Sequence, residues 1–170
     1  AISQSDTPCS SPPALTVNSG CVNTSGTTVG ASYQSNANNG GTPTCASPGA
    51  ADVWYTFVAP ASGSVTITTS AGTITDGGMS LYSGNCPNSF TQITCDDDGG
   101  AGLMPEITDG TLTPGVTYFI RFWEFSAGTG TFDICITENA AVSVPANDDC
   151  AGAFPVTVNP DQACGSTTTG

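Results

Sequence analysis

The chain has 170 residues, enough for one compact domain, and sets fourteen Asp and Glu against a single cation, Arg121, for a formal charge of −13. With no Lys and no His it offers nothing to phosphates, which excludes nucleic acid and anionic membranes as partners, and nothing to a Ser-His or Cys-His hydrolase. Eight Cys without a CxxC spacing or a His indicate disulfides rather than zinc, and therefore an oxidising, extracytoplasmic setting.

No apolar run approaches the roughly 18 residues of a membrane span, and no basic, apolar signal segment opens the sequence, so an exported protein would be met here in mature or excerpted form. Helix formers are sparse and short alternating runs dominate. In chain order the sequence predicts strands over 14–17, 27–33, 52–58, 64–69, 79–83, 90–94, 116–124 and 131–137, separated by turn sequences such as PASG at 60–63, LTPG at 112–115 and SAGTG at 126–130. The pattern predicts an all-β fold: a two-sheet antiparallel β-sandwich, jelly-roll-like and stapled by disulfides. SVTITT at 64–69 alternates as a strand with one wet face does. VTYFIRFWEF at 116–125 does not. It carries Tyr118, Ile120 and Phe122 on one face and Phe119, Trp123 and Phe125 on the other, which predicts a strand covered on both sides.

The stretch 140–147, AAVSVPAN, reads as a linker. Beyond it NDDCAGAFPVTV at 147–158 repeats the order of features in SDTPCSSPPALTV at 5–17, with Cys150 following Cys9 by 141 positions and a second Cys, Cys21 or Cys164, after each. The expected organisation is a sandwich module at 1–139, a linker at 140–147, and at 148–170 either the start of a next repeat or a strand-donating tail.

DVWYTFVAPASGSVTITTS, TDGGMSLYSGNC, ITCDDDGG and LTPGVTYFIRFWEFSAGTGTFDICIT, in that order, resemble the bacterial pre-peptidase C-terminal domain and its relatives in repetitive secreted proteins. The resemblance covers most of 5–138. It implies a calcium-associated β-sandwich appended to, or repeated within, secreted and surface-attached proteins, including large adhesins exported by the type IX route. It implies binding, stabilising or spacer roles, and no catalysis by the domain itself.

CDDDGG at 95–100 is the strongest chemical feature. A hairpin placing Ser83 opposite Phe90 sets Asp76 opposite Asp97, so that Asp76, Asp96, Asp97 and Asp98 converge at one end of the sandwich, with Glu106 returning past it. Such carboxylates repel one another unless a hard cation sits among them, and oxygen ligands suit calcium. The spacing is not that of an EF-hand, so the family context carries the calcium expectation; a solvated acidic turn is the plainer alternative. A glycosidase pair is disfavoured, because Asp in an exposed Gly-rich loop lacks the apolar burial that raises a general acid's pKa.

In this fold the first and last strands neighbour one another, which favours a Cys9–Cys135 bridge; Cys21–Cys45 and Cys86–Cys95 would complete the set. Cys150 and Cys164 would then pair with a following repeat, with each other, or with another subunit. Arg121 reads as an ion pair with Glu124, Asp52 or Asp133, or else as a ligand anchor. Trp54, Tyr55, Phe57, Tyr118 and Phe122 read as core, and a sugar platform would need Trp123 and Phe125 exposed in one plane. NTS at 23–25 is a glycosylation sequon where the machinery exists. The functional expectation is a non-enzymatic structural or adhesive repeat module of a secreted cell-surface or filament protein, rigidified by disulfides and calcium, with neighbouring copies of itself as partners. The alternative is a carbohydrate- or matrix-binding accessory module, with a surface glycan as partner.

Overall fold

The structure, a computed structural model, describes residues 5–33, 40–46, 48–49, 51–87 and 89–139. The linker at 140–147 and the segment 148–170, with Cys150 and Cys164, lie outside the described residues. Nine strands run in chain order: β1 Val17–Asn18, β2 Thr24–Thr27, β3 Asp52–Val58, β4 Val65–Ala71, β5 Gly77–Asn85, β6 Ser89–Asp96, β7 Glu106–Asp109, β8 Thr117–Glu124 and β9 Thr131–Glu138. They form two sheets, β3-β8-β5-β6 and β1-β9-β4-β7, with β2 also paired to β9. Every pairing is antiparallel except the short β1/β9 contact, where Val17 lies beside Ile136. The expected all-β, disulfide-stapled sandwich is the fold observed.

Alternation decides what each sheet buries. Val65 and Ile67 of β4 point into the core, and Thr66 and Thr68 point out, where they bond the Thr108 hydroxyl and the Glu106 carboxylate. This sheet has one wet face. Between the sheets, Phe132 of β9 stacks on Phe122 of β8 with centroids 3.7 Å apart and meets Tyr55 of β3 edge-on, locking one layer to the other.

The sheet β3-β8-β5-β6 is apolar on both faces. Its outer face carries Trp54, Tyr82 and Phe119, packed with Phe90, and Trp123 laid flat over Gly78. Residues 40–45 cover part of it: Gly40 sits against the Tyr82 ring, and the Thr44 and Gln92 side chains bond each other. Under this cover Arg121 is fully buried. It donates from Nε to Asp52 Oδ2 and from Nη1 to the Gly41 carbonyl at 2.7 Å, and its guanidinium lies over the Trp54 and Tyr33 rings. Of the three carboxylates expected to partner Arg121, Asp52 is the one, and the covered reading of the 116–125 strand holds from Phe119 to Trp123.

Three expectations are corrected. The strand expected over 27–33 is β2, Thr24–Thr27. Its pairing with β9 ends at Thr131, after which the chain turns through Gly30 at φ 83°. β7 was missed because four residues, EITD, are too few to show a period. The three disulfides are Cys9–Cys86, Cys21–Cys135 and Cys45–Cys95, and none is a pair expected from the sequence. Cys95 lies opposite Ser80, so Cys86 is six residues away along the hairpin, about 20 Å at strand rise and far beyond the roughly 7 Å a disulfide spans. The first and last strands are indeed neighbours, but the chain reaches β9 only at Val17, so Cys21, not Cys9, lies beside Cys135. Cys21 and Cys45 sit on opposite sides of the sandwich.

Two substitutions test this packing. Gly78→Ala drives a β-carbon into the Trp123 indole and should destabilise the fold by about 1–3 kcal/mol in urea unfolding, while Gly20→Ala, which meets open space, should be nearly silent. Arg121→Met strands a buried carboxylate and should cost about 3–5 kcal/mol; adding Asp52→Leu should recover much of that loss, and a purely additive double variant would contradict a coupled pair.

Candidate functional site

The acidic end lies where β5 begins and β6 and β8 finish. β5 and β6 pair with Ser83 opposite Thr91, one position from the expected register, and a bulge between Leu81 and Tyr82 shifts it again, so that Met79 faces Asp96. Asp76 is consequently not opposite Asp97. It forms a bridge with Leu103, because the loop after β6 folds back: Gly100 N–H donates to the Met104 carbonyl and Gly77 N–H to that of Leu103.

The five expected ligands divide into two groups. Asp96 Oδ2 accepts from the N–H groups of Gly99 at 2.8 Å and Glu106 at 2.9 Å, so this carboxylate closes the loop onto β7. Glu106 itself turns to the wet face of the other sheet, where Oε2 accepts from the Thr68 hydroxyl at 2.9 Å. Asp76, Asp97 and Asp98 remain together, and Glu124 joins them from the end of β8, opposite Gly77. Partial burial, then the charges of Asp98, Glu124 and Asp97, hold the Asp76 carboxyl above the usual carboxylate range. Glu124, read from the sequence only as a partner for Arg121, is the member of this end that was missed; its place at the last position of a strand whose neighbour starts at TDGG was the available signal.

The donor set at this end is oxygen alone, as calcium requires. Among the described residues, however, no three acidic side chains are arranged to share one ion. Asp96 and Glu106 are already engaged by protein donors, and only Asp76, Asp97 and Asp98 of the expected set are left to face a cation.

The described residues also form two surface grooves. One, of about 490 Å³, lies where β2 meets β9, with Phe132, Gly26 and Gly72 in its lining and Ser25 and Asp133 at its rim, the Ser25 hydroxyl donating to Asp133 at 2.7 Å. The other, of about 560 Å³ at the far end, is lined by Leu15, Val17, Phe57 and Val58 among others, with Glu138 its one ionisable residue. Neither joins two carboxylates in the way glycoside hydrolysis needs. Burial pushes the Tyr55 and Tyr82 phenols upward, which unsuits both for base chemistry near neutral pH. The aromatic pair required for a sugar platform is not formed, because Trp123 is fully buried while Phe125 is exposed.

The family model described as galactose binding domain-like, of the type IX secretion-associated group, matches residues 5–136. Among solved structures, the chain is similar to the mitogen YPM from Yersinia pseudotuberculosis, at 11% identity and TM-score 0.45, covering 71% of this chain and 86% of that one. It is also similar to the pre-peptidase C-terminal domain of a collagenase from Bacillus anthracis, at 12% identity and TM-score 0.44, covering 74% and 93%. A third similar structure is PliG, a periplasmic inhibitor of g-type lysozyme from Aeromonas hydrophila, at 15% identity and TM-score 0.38, covering 74% and 99%. No curated protein matches. The chain belongs to the type IX secretion-associated galactose-binding-domain-like family.

Proposed function

We propose that the chain is a non-enzymatic structural and adhesive repeat module of a cell-surface or extracellular filament protein, which works by staying folded under attack and tension. The observation that carries this reading is the placement of the disulfides. Cys9–Cys86 ties the N-terminal segment to the β5–β6 turn, Cys21–Cys135 ties the β1–β2 connection to β9, and Cys45–Cys95 ties the loop over the outer face to β6. Each bridge fastens an irregular segment to a strand or to the turn that joins two strands, and each contributes about 2–4 kcal/mol, mostly by restricting the unfolded chain. The charge pattern supports the same role. A protease that cleaves after Lys or Arg has one bond to attack in 170 residues, and that residue, Arg121, is buried in mid-sheet.

The carbohydrate-binding alternative draws on the family description, but it has lost the aromatic platform that would distinguish it. Calcium, in this proposal, is a weakly held ion that Asp76, Asp97 and Asp98 would have to draw together to bind, at the 10⁻⁴–10⁻³ M level typical of extracellular modules. Asp96 and Glu106 shape the loop rather than bind the ion. Neighbouring copies are the partners.

Trypsin should leave the oxidised protein intact for hours and, after reduction in mild denaturant, should cut it once after Arg121; oxidised protein cut as fast as reduced protein would remove the basis of the mechanical reading. The acidic end is tested by Asp76→Asn. A carboxyl whose folded pKa is raised stabilises the protein below its unfolded pKa and loses that contribution as pH rises through the folded pKa. In EDTA, therefore, Asp76→Asn should raise Tm at pH 7, with the advantage vanishing below about pH 3.8. In millimolar calcium the sign should reverse, because the wild type gains on the order of 1 kcal/mol from binding and the variant does not. Equal Tm values in calcium and EDTA for both proteins would remove the ion from the proposal.

A further inference from the structure

The two ends of the sandwich differ in kind. At the acidic end Leu103 and Phe125 flank Asp76: Gly77 N–H donates to the Leu103 carbonyl at 3.0 Å, and Phe125 N–H to the Asp76 carbonyl at 3.2 Å. Both side chains are left half exposed, at 50% and 47%, among Asp76, Asp97, Asp98 and Glu124. The far end is concave and apolar. Its groove of about 560 Å³ lies between Leu15 and Val17 of the N-terminal run and Phe57 and Val58 of β3, and Val58 is 55% exposed. Val116, 43% exposed, stands beside it and gives its carbonyl to Ala59 N–H at 2.9 Å. Of the carboxylates borne on strands, Asp109 and Glu138 alone stand here, and both are engaged. Asp109 Oδ1 accepts from the Thr111 N–H and hydroxyl, and Glu138 Oε1 from Ser62 N–H at 3.3 Å.

The described chain comes in and goes out at different ends. Ser5 gives its carbonyl to Trp54 N–H, in the half of β3 that begins at Asp52, and the run to Leu15 then follows β3 in its own direction. β9 finishes at the far end, where Asn139 N–H donates to the Ser64 carbonyl at 3.0 Å. Charge favours the same order. Two acidic ends face to face would set four carboxylates against four, with no cation between them. In a row, acidic ends recur once per module, roughly 25 Å apart over the nine residues of β5, which is about three Debye lengths at physiological salt. Two grooves face to face would leave both concavities unfilled and forfeit packing. Groove against acidic end fills the concavity with an apolar pair and sets four carboxylates against two that protein donors already hold.

We propose that the groove at the far end of one sandwich is the docking site for the acidic end of a second copy, with Leu103 and Phe125 seated against Leu15, Val17, Phe57 and Val58. The contact is heterologous, one end on the other, so each docked copy leaves a fresh groove and the row grows without closing at a pair. That the occupant is another copy rests on the repeat-module reading above; the groove and the apolar pair stand on the described residues.

Sedimentation of the full chain, carrying Cys150→Ser and Cys164→Ser so that no disulfide joins copies, tests this. At about 1 mM, the effective concentration a short linker gives neighbouring modules, its weight-average mass should exceed that of one chain about twofold. It should rise further between about 0.15 M and 1 M salt, as the Debye length falls from about 8 to 3 Å. Phe125→Ser removes the ridge and keeps the groove; Val58→Asp does the reverse. Each alone should be monomeric with Tm within about 4 °C of the parent, as befits an exposed position. Mixed in equal amounts, the two should form pairs and stop at two chains. Ile93→Ser, in mid-β6, should associate like the parent. Should either variant fail to fold, Leu103→Ser and Val116→Ser report on the same two ends. A parent that stays monomeric at high salt, an assembly that stops at two parent chains, single variants that associate like the parent, a mixture that remains monomeric, or a loss on Ile93→Ser each overturns the inference. None of these outcomes bears on resistance to trypsin, so this docking and the proposed function fail separately.

Discussion

The pairing of Arg121 with Asp52 in the middle of a sheet governs what surrounds it. A guanidinium and a carboxylate removed from water need their remaining hydrogen-bond capacity filled and solvent kept out, and a sheet face cannot do either alone. Tyr33 and residues 40–45 supply cover: the Gly41 carbonyl takes one guanidinium N–H and the Tyr33 ring lies over the charge. Tyr33 and residues 40–45 belong to no strand. Cys45–Cys95 on one side and Cys9–Cys86 at the β5–β6 turn hold the irregular chain against the sheet, so the bridges follow from the buried charge as much as from the small size of the domain.

The sheet margins are handled with comparable care. An open strand edge invites pairing with another chain. β3 is closed by residues 5–15, β9 is shared between β2 on its first half and β1 on its second, and β7 is only four residues long with acidic residues at both ends. The closures at β3 and β9 come from one continuous N-terminal run, which is why a single segment can complete both sheets at once.

Much of the fold was legible because period-2 alternation is a local property. Val65 and Ile67 against Thr66 and Thr68, or Phe119 and Trp123 against Tyr118 and Phe122, announce their faces without knowledge of any partner. Disulfide partners and the acidic end were not legible, because both depend on register. The bulge between Leu81 and Tyr82 moved Asp76 from its expected partner, and nothing in TDGGMSLYSGNC marks it. Asp96 looked like a ligand because it belongs to a run of three Asp; its role in holding Gly99 and Glu106 N–H groups appears only when the loop closes. Glu124 was visible as a charge but not as a neighbour of Asp76, since that depends on β5 and β8 being adjacent although 40 residues separate their starting positions.

The placement of the single cation also limits how copies can meet. With Arg121 buried, the surface offers other copies carboxylates and no basic group, so charge complementarity cannot join two identical modules, and at low salt their fields repel. In the proposed array, contacts between copies would rest on interactions indifferent to charge: backbone hydrogen bonds at a strand edge, apolar side chains seated beneath it, and covalent sulfur. Those are the elements that residues 5–17 already use within the module, and a chain this acidic has few others with which to build an array.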